Sequence, residues 1–305
     1  MELGYACLNC SLKDCKPNRR TTVGYLKKLN SEGQITKLNS LLFENLANTL
    51  RILRFNVAHD INFYRLSSDI VPLATHPVTE GWDYITAGKE QFLEIGEFIK
   101  NNNLRVSMHP GQYTVLNSNK DDVVDRAIAD LEYHSQVLQT MRLDTSHKLI
   151  LHIGGVYGDK KAAITRFKEN FCRLSTDIKG RLVIENDDKS YQAREVLKIA
   201  QELDIPMVFD NHHFNCNHSA DEKLEELIPA IFATWGSEKP KMHFSSPKNE
   251  DKYASHADNI NAQDFKKFID LITNITDEDF DIMLECKNKD QALFKLREEL
   301  DYRWD

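Results

Sequence analysis

Short runs rich in β-branched and aromatic residues alternate along the chain with longer segments of helical periodicity. The predicted strands cover residues 2–7, 63–67, 104–109, 148–153, 181–185, 206–210, 240–244 and 280–285. The predicted helices cover residues 41–54, 89–100, 121–141, 160–178, 191–203, 221–234, 262–273 and 291–300. This alternation predicts βαβ units and a parallel sheet. Eight such pairs are typical of a TIM (β/α)8 barrel, here expected as one domain over residues 1–305.

An open, doubly wound sheet would also fit the alternation, and the polar residues at the strand ends distinguish the two folds. Most strands end in, or lead to, a residue type that binds metals; these residues are His76, His109, His152, Glu185, Asp210 with His213, Lys241 with His243, and Glu285. A barrel gathers the carboxyl ends of its strands around one centre, whereas an open sheet spreads them along a line. The sequence therefore predicts an α/β TIM barrel with its site at those ends.

The ligand types at these positions indicate a metal centre with more than one ion. A carboxylate that ends an apolar run, as Glu185, Asp210 and Glu285 do, is costly to bury unless it is paired or bound to a cation. Imidazole and carboxylate ligands suit Mn²⁺, Zn²⁺ or Fe²⁺. Two or three ions are implied, with His256 as a further ligand after the seventh strand. Neighbouring ions can clamp the attacking and leaving oxygens of a phosphate displacement.

Lys241 lies two residues before His243, so both side chains are expected to point into the barrel. A free ammonium there would be repelled by bound cations. The side chain could reach a substrate phosphate, could be carboxylated and act as an anionic bridging ligand, or could extend along apolar surface to the solvent.

Two further segments suggest contact with nucleic acid. In HPGQY, the Pro110–Gly111 turn is predicted to project Gln112 and Tyr113, and an exposed tyrosine on a nuclease can stack on a base. A basic segment contains Lys13, Lys16, Arg19, Arg20, Lys27, Lys28 and Lys37, although the net charge of the chain is −8. This segment could be a solvated loop or an arm that contacts phosphates.

Other features set the expected surroundings of the protein. The chain has no run of about 18 apolar residues and no apolar secretory leader, so a cytoplasmic protein that makes no membrane contact is expected, associated with the nucleoid in a bacterium. Cys7, Cys10 and Cys15 form only a weak metal-binding pattern, because a zinc site usually has four ligands with paired spacing. His134, in a predicted helix, is expected at the surface.

Several motifs together resemble the UV damage endonuclease family, whose members are relatives of endonuclease IV. They are GYACLN, ATHP, SMHPGQY, LILHIGGVYGDK, LVIENDD, VFDNHH, PKMHFSS, SHADNI and MLEC, and they run from the first predicted strand to the last. The resemblance implies a TIM barrel that nicks damaged double-stranded DNA immediately 5′ to UV photoproducts without ATP. The substrates implied are cyclobutane pyrimidine dimers, 6-4 photoproducts and some abasic sites.

The resemblance also implies roles for individual residues. Three Mn²⁺ ions, with Zn²⁺, Mg²⁺ or Co²⁺ as substitutes, would be held by a set that consists of His109, His152, Glu185, Asp210, His213, His243, His256 and Glu285. His76 is implied as a further site residue and Lys241 as a carboxylated lysine, with Glu185, Lys241 and His243 as catalytic residues. Gln112 and Tyr113 would probe the helix opposite the lesion, and Tyr5 and Asn9 would lie near the lesion pocket. A monomer would suffice for this chemistry.

Two other classes of protein remain open at this point. A sugar isomerase or epimerase on a related barrel would use fewer metals and a deep polar pocket. A non-catalytic protein that binds damaged DNA would not need so complete a ligand set.

Overall fold

The computed structural model describes residues 1–300. Its strands are β1 (Leu3–Ala6), β2 (Phe63–Arg65), β3 (Arg105–Ser107), β4 (Leu149–His152), β5 (Leu182–Glu185), β6 (Met207–Asp210), β7 (Lys241–Phe244) and β8 (Asp281–Leu284). Every predicted strand is present, shortened by one to three residues. This agreement follows from the dense β-branched and aromatic composition of the eight runs.

Twelve α-helices connect or follow the strands in the described part of the chain. They are α1 (Val23–Leu26), α2 (Ser31–Ala58), α3 (Tyr84–Ala87), α4 (Lys89–Asn101), α5 (Asp121–Thr140), α6 (Lys160–Cys172), α7 (Thr176–Arg181), α8 (Ala193–Leu203), α9 (Asn211–Cys216), α10 (Leu224–Ala233), α11 (Ala262–Ile275) and α12 (Lys289–Glu299). No helix within residues 1–300 combines the length and the apolar character needed to cross a membrane.

Local capping explains the two largest departures from the predicted helices. Helix α2 begins ten residues earlier than predicted, where the side chain of Asn30 accepts a hydrogen bond from the Gly33 amide. The helix predicted over 160–178 is divided in two, because the Ser175 side chain caps a new helix by accepting from the Ile178 amide. Both caps satisfy amides that the first turn of a helix leaves free.

The eight strands form a closed parallel barrel. Ladders join them in the order β3-β2-β1-β8-β7-β6-β5-β4. A single parallel bridge between Met108 and Leu149 joins the two ends of this order, with amide bonds of 3.0 Å from Met108 to the Lys148 carbonyl and from Ile150 to the Met108 carbonyl. The TIM barrel prediction is therefore confirmed, and the open doubly wound alternative is excluded.

Successive side chains along each strand point alternately into the barrel interior and outward into the layer beneath the helices. On β7, Met242 and Phe244 belong to the main apolar core, and Phe244 packs on Phe265 of α11 with ring centroids 5.1 Å apart. Lys241 and His243 point the other way: the Lys241 Nζ lies 5.5 Å from the Phe63 ring centroid on β2, across the barrel. The predicted inward direction of Lys241 and His243 is confirmed.

His134 on α5 is only 1% exposed, so the expectation that it lies at the surface is wrong. Its neighbours Leu131, Val137 and Leu138 are also buried, because α5 packs against α4, α7 and the barrel. Nδ1 of His134 lies 2.6 Å from the Asp130 carbonyl oxygen, to which it donates. The buried face of α5 therefore includes His134 as well as the apolar side chains beside it.

Gly96 on α4 marks the closest approach of that helix to the end of α5, and we predict that G96A destabilises the protein strongly. A Cβ at this position would lie 1.8 Å from the Met141 carbonyl oxygen, which is backbone and cannot move aside alone. We expect a loss of about 3 kcal/mol or more in the free energy of unfolding, measured by denaturant titration. G24A is the control, because a Cβ at Gly24 meets nothing within 4 Å. Equal stabilities of G96A and the wild type would contradict the packing described.

Candidate metal centre

The carboxyl ends of the strands, with the loops that follow them, form one face of the barrel, here called the rim. Two sets of ligand atoms converge there, each with all its atoms within 4.8 Å of one another. Group 1 consists of His109, His152 and Glu185, and group 2 of Glu185, Asp210, His243 and Glu285. Glu185 belongs to both groups, so a single carboxylate lies between two places that could hold a cation.

Glu185 ends β5 and is almost completely buried among imidazoles. Its Oε1 lies 2.6 Å from Nδ1 of His243, and its Oε2 lies 3.2 Å from Nε2 of His109 and 3.5 Å from Nε2 of His152. Burial alone would raise the pKa of Glu185, but His243, His152 and His109 outweigh it and hold the pKa well below the usual range. The side chain is therefore a carboxylate, as a bridging ligand must be.

Asp210 has one carboxylate oxygen that is hydrogen-bonded and one that is available to bind a metal ion. Its Oδ1 caps α9 by accepting from the His213 amide at 2.7 Å. Its Oδ2 is buried and has no hydrogen-bond partner among the described residues, and the same is true of Nε2 of His243 and Nδ1 of His152. Burial raises the pKa of Asp210 to about 6. Buried polar atoms are rarely left without a partner, and a cation would satisfy this oxygen. The donor set therefore fits divalent metal ions.

His213 and His256 lie beside the two groups without completing a third. Nδ1 of His213 lies 2.9 Å from the Asn186 carbonyl oxygen and 3.8 Å from Oδ1 of Asp210. Nδ1 of His256 lies 3.9 Å from Oε2 of Glu285, and the two imidazole centroids are 6.4 Å apart. Both residues reach the predicted rim, but the described residues contain no third preformed group.

His76 belongs to neither ligand group, so the expectation that it binds metal stays a prediction. It lies on the long loop after β2, is exposed, and its Nδ1 accepts from the Val78 amide at 3.0 Å to cap a short 3-10 turn, Pro77–Thr79. It lines a cavity with Arg20 and Tyr133, and this cavity shares Ser68 and Asp69 with the larger cavity beside Tyr113. The position of this side chain depends on a long loop, whose course the spacing of residues in the sequence does not determine.

Lys241 is 1% exposed and lies one layer below the ligand groups, inside the barrel. Burial, together with the nearby cations Arg105 and Arg65, lowers its pKa well below the usual range for lysine. The alternative in which its ammonium extends to the solvent is therefore wrong.

Tyr5 and Asn9 are buried, so the expectation that they contact DNA needs correction. Tyr5 points outward from β1 into the layer beneath the helices, where its hydroxyl donates to Asn56 Oδ1 at 2.6 Å and accepts from Asn9 Nδ2 at 2.9 Å. Asn9 in turn accepts from the amides of Ser11 and Leu12. These two side chains hold the shape of the first rim loop and do not offer a surface to a ligand.

Gln112 and Tyr113 are exposed at the tip of the loop after β3, as predicted, and Tyr113 is 84% exposed. The loop is anchored on both sides. The Ser68 hydroxyl donates to the His109 carbonyl, and the Thr114 hydroxyl donates to the Asp130 carboxylate at 2.5 Å. A cavity of about 770 Å³ lies beside the tip. The aromatic ring is therefore presented to solvent from a fixed base, close to group 1.

Arg65 is a site residue that the sequence analysis missed. It ends β2, points into the barrel, is 6% exposed and forms an ion pair with Glu285 of group 2. The only signal in the sequence is a cation within an otherwise apolar run, FYRL. Such a cation needs a buried partner, but the sequence alone does not identify Glu285.

The basic segment is only partly neutralised by acidic neighbours. Arg19 pairs with Glu44 at 2.5 Å and Arg20 with Asp69 at 2.6 Å. Lys13, Lys16, Lys27 and Lys28 are exposed, and no ion pair to another described residue is found for them. Neither the solvated loop nor the phosphate-contacting arm is excluded by this arrangement.

The three N-terminal cysteines do not form a cluster of metal ligands in the described part of the chain. Cys15 is buried and its thiol donates to the Asn48 carbonyl at 3.4 Å, whereas Cys10 is exposed. Neither ligand group includes a cysteine. The weak pattern in the sequence therefore corresponds to packing and loop positions.

We predict that Mn²⁺ binding releases a proton at pH 7 if His213 is a ligand. Burial would lower its pKa, but the carboxylates of Asp210, Glu185 and Glu285 outweigh burial and raise the pKa of His213 to about 9. The imidazole is therefore protonated at pH 7 and must lose its proton to bind a metal, so affinity should rise as the pH rises towards 9. Calorimetry in two buffers of different ionisation enthalpy measures the release, and H213Q should reduce it. No release by the wild type would exclude His213 as a ligand.

A closed (β/α)8 barrel with overlapping histidine–carboxylate groups at its rim defines a class of metal-dependent barrel enzymes, and comparison with known proteins identifies the family. The UV-endonuclease UvdE family profile matches residues 1–304. The UV DNA damage endonuclease of Bacillus cereus (strain ATCC 14579) is 44% identical over 302 residues, which cover 98% of this chain and 94% of that protein. The corresponding protein of Bacillus mycoides (strain KBAB4) is 44% identical over 298 residues, 97% of this chain and 93% of that protein.

Solved structures agree with this assignment. The crystal structure of SacUVDE aligns with a TM-score of 0.86 at 36% identity and covers 99% of both chains. L-ribulose 3-epimerase aligns with a TM-score of 0.54 at 13% identity over 86% of this chain and 82% of that one, which shows a shared fold alone. The chain therefore belongs to the UV damage endonuclease family, and it is an endonuclease built on a TIM barrel.

Proposed function

We propose that this protein nicks duplex DNA immediately 5′ to UV photoproducts by metal-assisted phosphodiester hydrolysis, without ATP, and leaves a 3′-hydroxyl and a 5′-phosphate. Its substrates would be cyclobutane pyrimidine dimers, 6-4 photoproducts and some abasic sites. The observation that carries the proposal is the position of Glu185 between two ligand groups on the rim. Adjacent cations of this kind suit the displacement of one phosphate oxygen by another.

Each residue of the centre has a definite part in this proposal. Glu185 would bind one ion together with His109 and His152. It would bind a second ion together with Asp210, His243 and Glu285. Bound divalent ions would polarise the scissile phosphate and lower the pKa of a coordinated water. Glu185 and His243, in contact at 2.6 Å and both buried, keep the ligand atoms in place and exclude bulk water from the floor of the site.

We further propose Mn²⁺ as the metal, with Zn²⁺, Mg²⁺ or Co²⁺ as substitutes. A third ion would use His213 and His256, which already flank group 2. Lys241 would take part as a carboxylated side chain, and its burial beside Arg65 and Arg105 supports this, because those cations would stabilise an added negative charge. Loss of activity in K241M that is restored by a short-chain carboxylic acid would test this role.

Recognition of damaged double-stranded DNA would use the loop that carries Gln112 and Tyr113. The exposure of the Tyr113 ring supports this proposal, because an exposed aromatic ring can enter a poorly stacked duplex. With a net charge of −8, few phosphate contacts are expected, supplied by the exposed lysines of the basic segment. One copy of this single domain carries all the proposed site residues, so a monomer would suffice.

The experiment that tests the proposal is the nicking of an end-labelled duplex with one defined thymine dimer, in Mn²⁺ and in EDTA. A single Mn²⁺-dependent cut just 5′ to the dimer, absent from the undamaged duplex, is expected. Damage-specific binding without any cut would indicate a non-catalytic binder. The absence of both binding and cutting with every divalent metal would favour sugar isomerase or epimerase activity, which a likeness at 13% identity does not support by itself.

A further inference from the structure

Glu285, the residue that follows β8 at the rim, contacts Arg65, the last residue of β2. The guanidinium Nη2 of Arg65 contacts Oε1 of Glu285, and both groups are withdrawn from solvent. The same Oε1 lies 3.3 Å from Nδ1 of His243. The other oxygen, Oε2, is turned towards His256 at 3.9 Å. The two oxygens of this carboxylate therefore face different neighbours.

A second arginine makes the comparable contact at the opposite end of the same strand. Arg105 on β3 pairs with Asp281, the first residue of β8, at 2.7 Å, and also donates to the Lys239 carbonyl at 2.7 Å. Asp281 belongs to neither ligand group. The two arginines thus share their chemistry and a partner on β8, although Arg105 is more exposed, and only Arg65 touches a group of potential metal ligands.

We propose that Arg65 is a positioning residue that fixes the orientation of Glu285 and thereby sets the affinity of group 2 for its metal ion. A glutamate side chain has three rotatable bonds, and a charge-assisted hydrogen bond to one oxygen removes much of that freedom before a metal arrives. Partners of this kind typically change metal affinity by about 10- to 100-fold when they are lost. Group 1 does not include Glu285, so its affinity should not depend on Arg65.

The substitution R65K separates orientation from charge. Lysine keeps the positive charge but lacks the planar donors that direct the carboxylate. If Arg65 acted only as a charge, R65K would bind metals as the wild type does. If Arg65 acts by orientation, group 2 loses affinity for its metal ion although the net charge is unchanged.

The test is a titration of metal-free protein with Mn²⁺ by calorimetry, with bound metal counted by elemental analysis, for the wild type, R65K and the matched control R105K. We expect about a tenfold or greater loss of affinity for the ion at group 2 in R65K, no change for the ion at group 1, and wild-type affinities for all bound ions in R105K. Should R65K fail to fold, R65Q is measured in the same way. The inference rests on the proposed metal centre, and different results would contradict each of them. If the wild type binds no Mn²⁺, the metal centre itself is contradicted. If the wild type and R65K bind Mn²⁺ with equal affinities, only the role of Arg65 is contradicted.

A double substitution checks that Arg65 acts through Glu285. If it does, E285Q and the pair R65K with E285Q bind Mn²⁺ equally, because the residue that Arg65 orients is already altered. Additive losses in the double variant, or equal weakening of the ions at groups 1 and 2 in R65K alone, would show a general effect on the barrel and would overturn the proposal.

Discussion

E185Q is expected to lower the rate of DNA nicking by about a thousandfold or more. Glu185 supplies an oxygen to both ligand groups, and its two oxygens face imidazoles on opposite sides at 2.6 and 3.2 Å. Glutamine has nearly the same shape but carries no charge and has only one acceptor oxygen. The glutamine oxygen can therefore be a ligand in at most one of the two groups, and it would bind a cation more weakly than a carboxylate does. The loss should appear in single-turnover nicking of a duplex with one lesion, together with a reduced content of bound metal.

The control for this variant is E202Q, which makes the same chemical change on the exposed surface of α8, where Glu202 pairs with Lys168. We expect its nicking rate and its metal content to match the wild type. An E185Q protein with normal nicking and a full complement of metal would remove Glu185 from the mechanism and the bridging arrangement with it.

Y113A is expected to weaken binding to damaged duplex selectively. The ring is 84% exposed, so its removal should not change the stability of the fold. Stacking of a base on an aromatic side chain contributes about 1–3 kcal/mol, which corresponds to a loss of roughly 5- to 150-fold in affinity. Fluorescence anisotropy with a duplex that carries one thymine dimer, in the E185Q background to prevent cutting, measures this loss.

The same titration with undamaged duplex should show little change, because phosphate contacts dominate non-specific binding. F43A, which removes another exposed aromatic ring on α2, is the matched control and should bind both duplexes normally. An equal loss of affinity for damaged and undamaged DNA in Y113A would assign Tyr113 to general DNA binding, and no loss at all would remove it from recognition.

The fold and most of the metal centre could be predicted from the sequence because both depend on regular features. Strand and helix periodicity recur eight times, and a ligand at the end of a buried strand, such as Glu185 or Asp210, has its position fixed by the barrel itself. The exposed tip was also predicted, from a turn expected at Pro110 and Gly111, but the structure has the turn one step later, where the Thr114 amide donates to the Gly111 carbonyl and Gln112 and Tyr113 lie between them.

Residues whose position depends on side-chain partners could not be predicted in the same way. In the strand LGYA, every side chain is buried, so polarity does not show that Tyr5 faces the helices. His76 lies eleven residues beyond the end of β2, and its position depends on a loop that caps its own turn. Arg65 becomes part of the site only through Glu285, which is distant in sequence and adjacent in the barrel.

The closure of the barrel has a consequence for the way metal and stability are coupled. Strands β3 and β4 meet through one bridge, whereas other neighbours share ladders of two to four residue pairs, so this junction is the weakest seam in the sheet. His109 follows one side of the seam and His152 ends the other. An ion bound by both histidines would link β3 to β4 and stabilise the junction between them. The amides near Met108 and Ile150 should therefore exchange with solvent more slowly in the metal-loaded protein than in the metal-free protein.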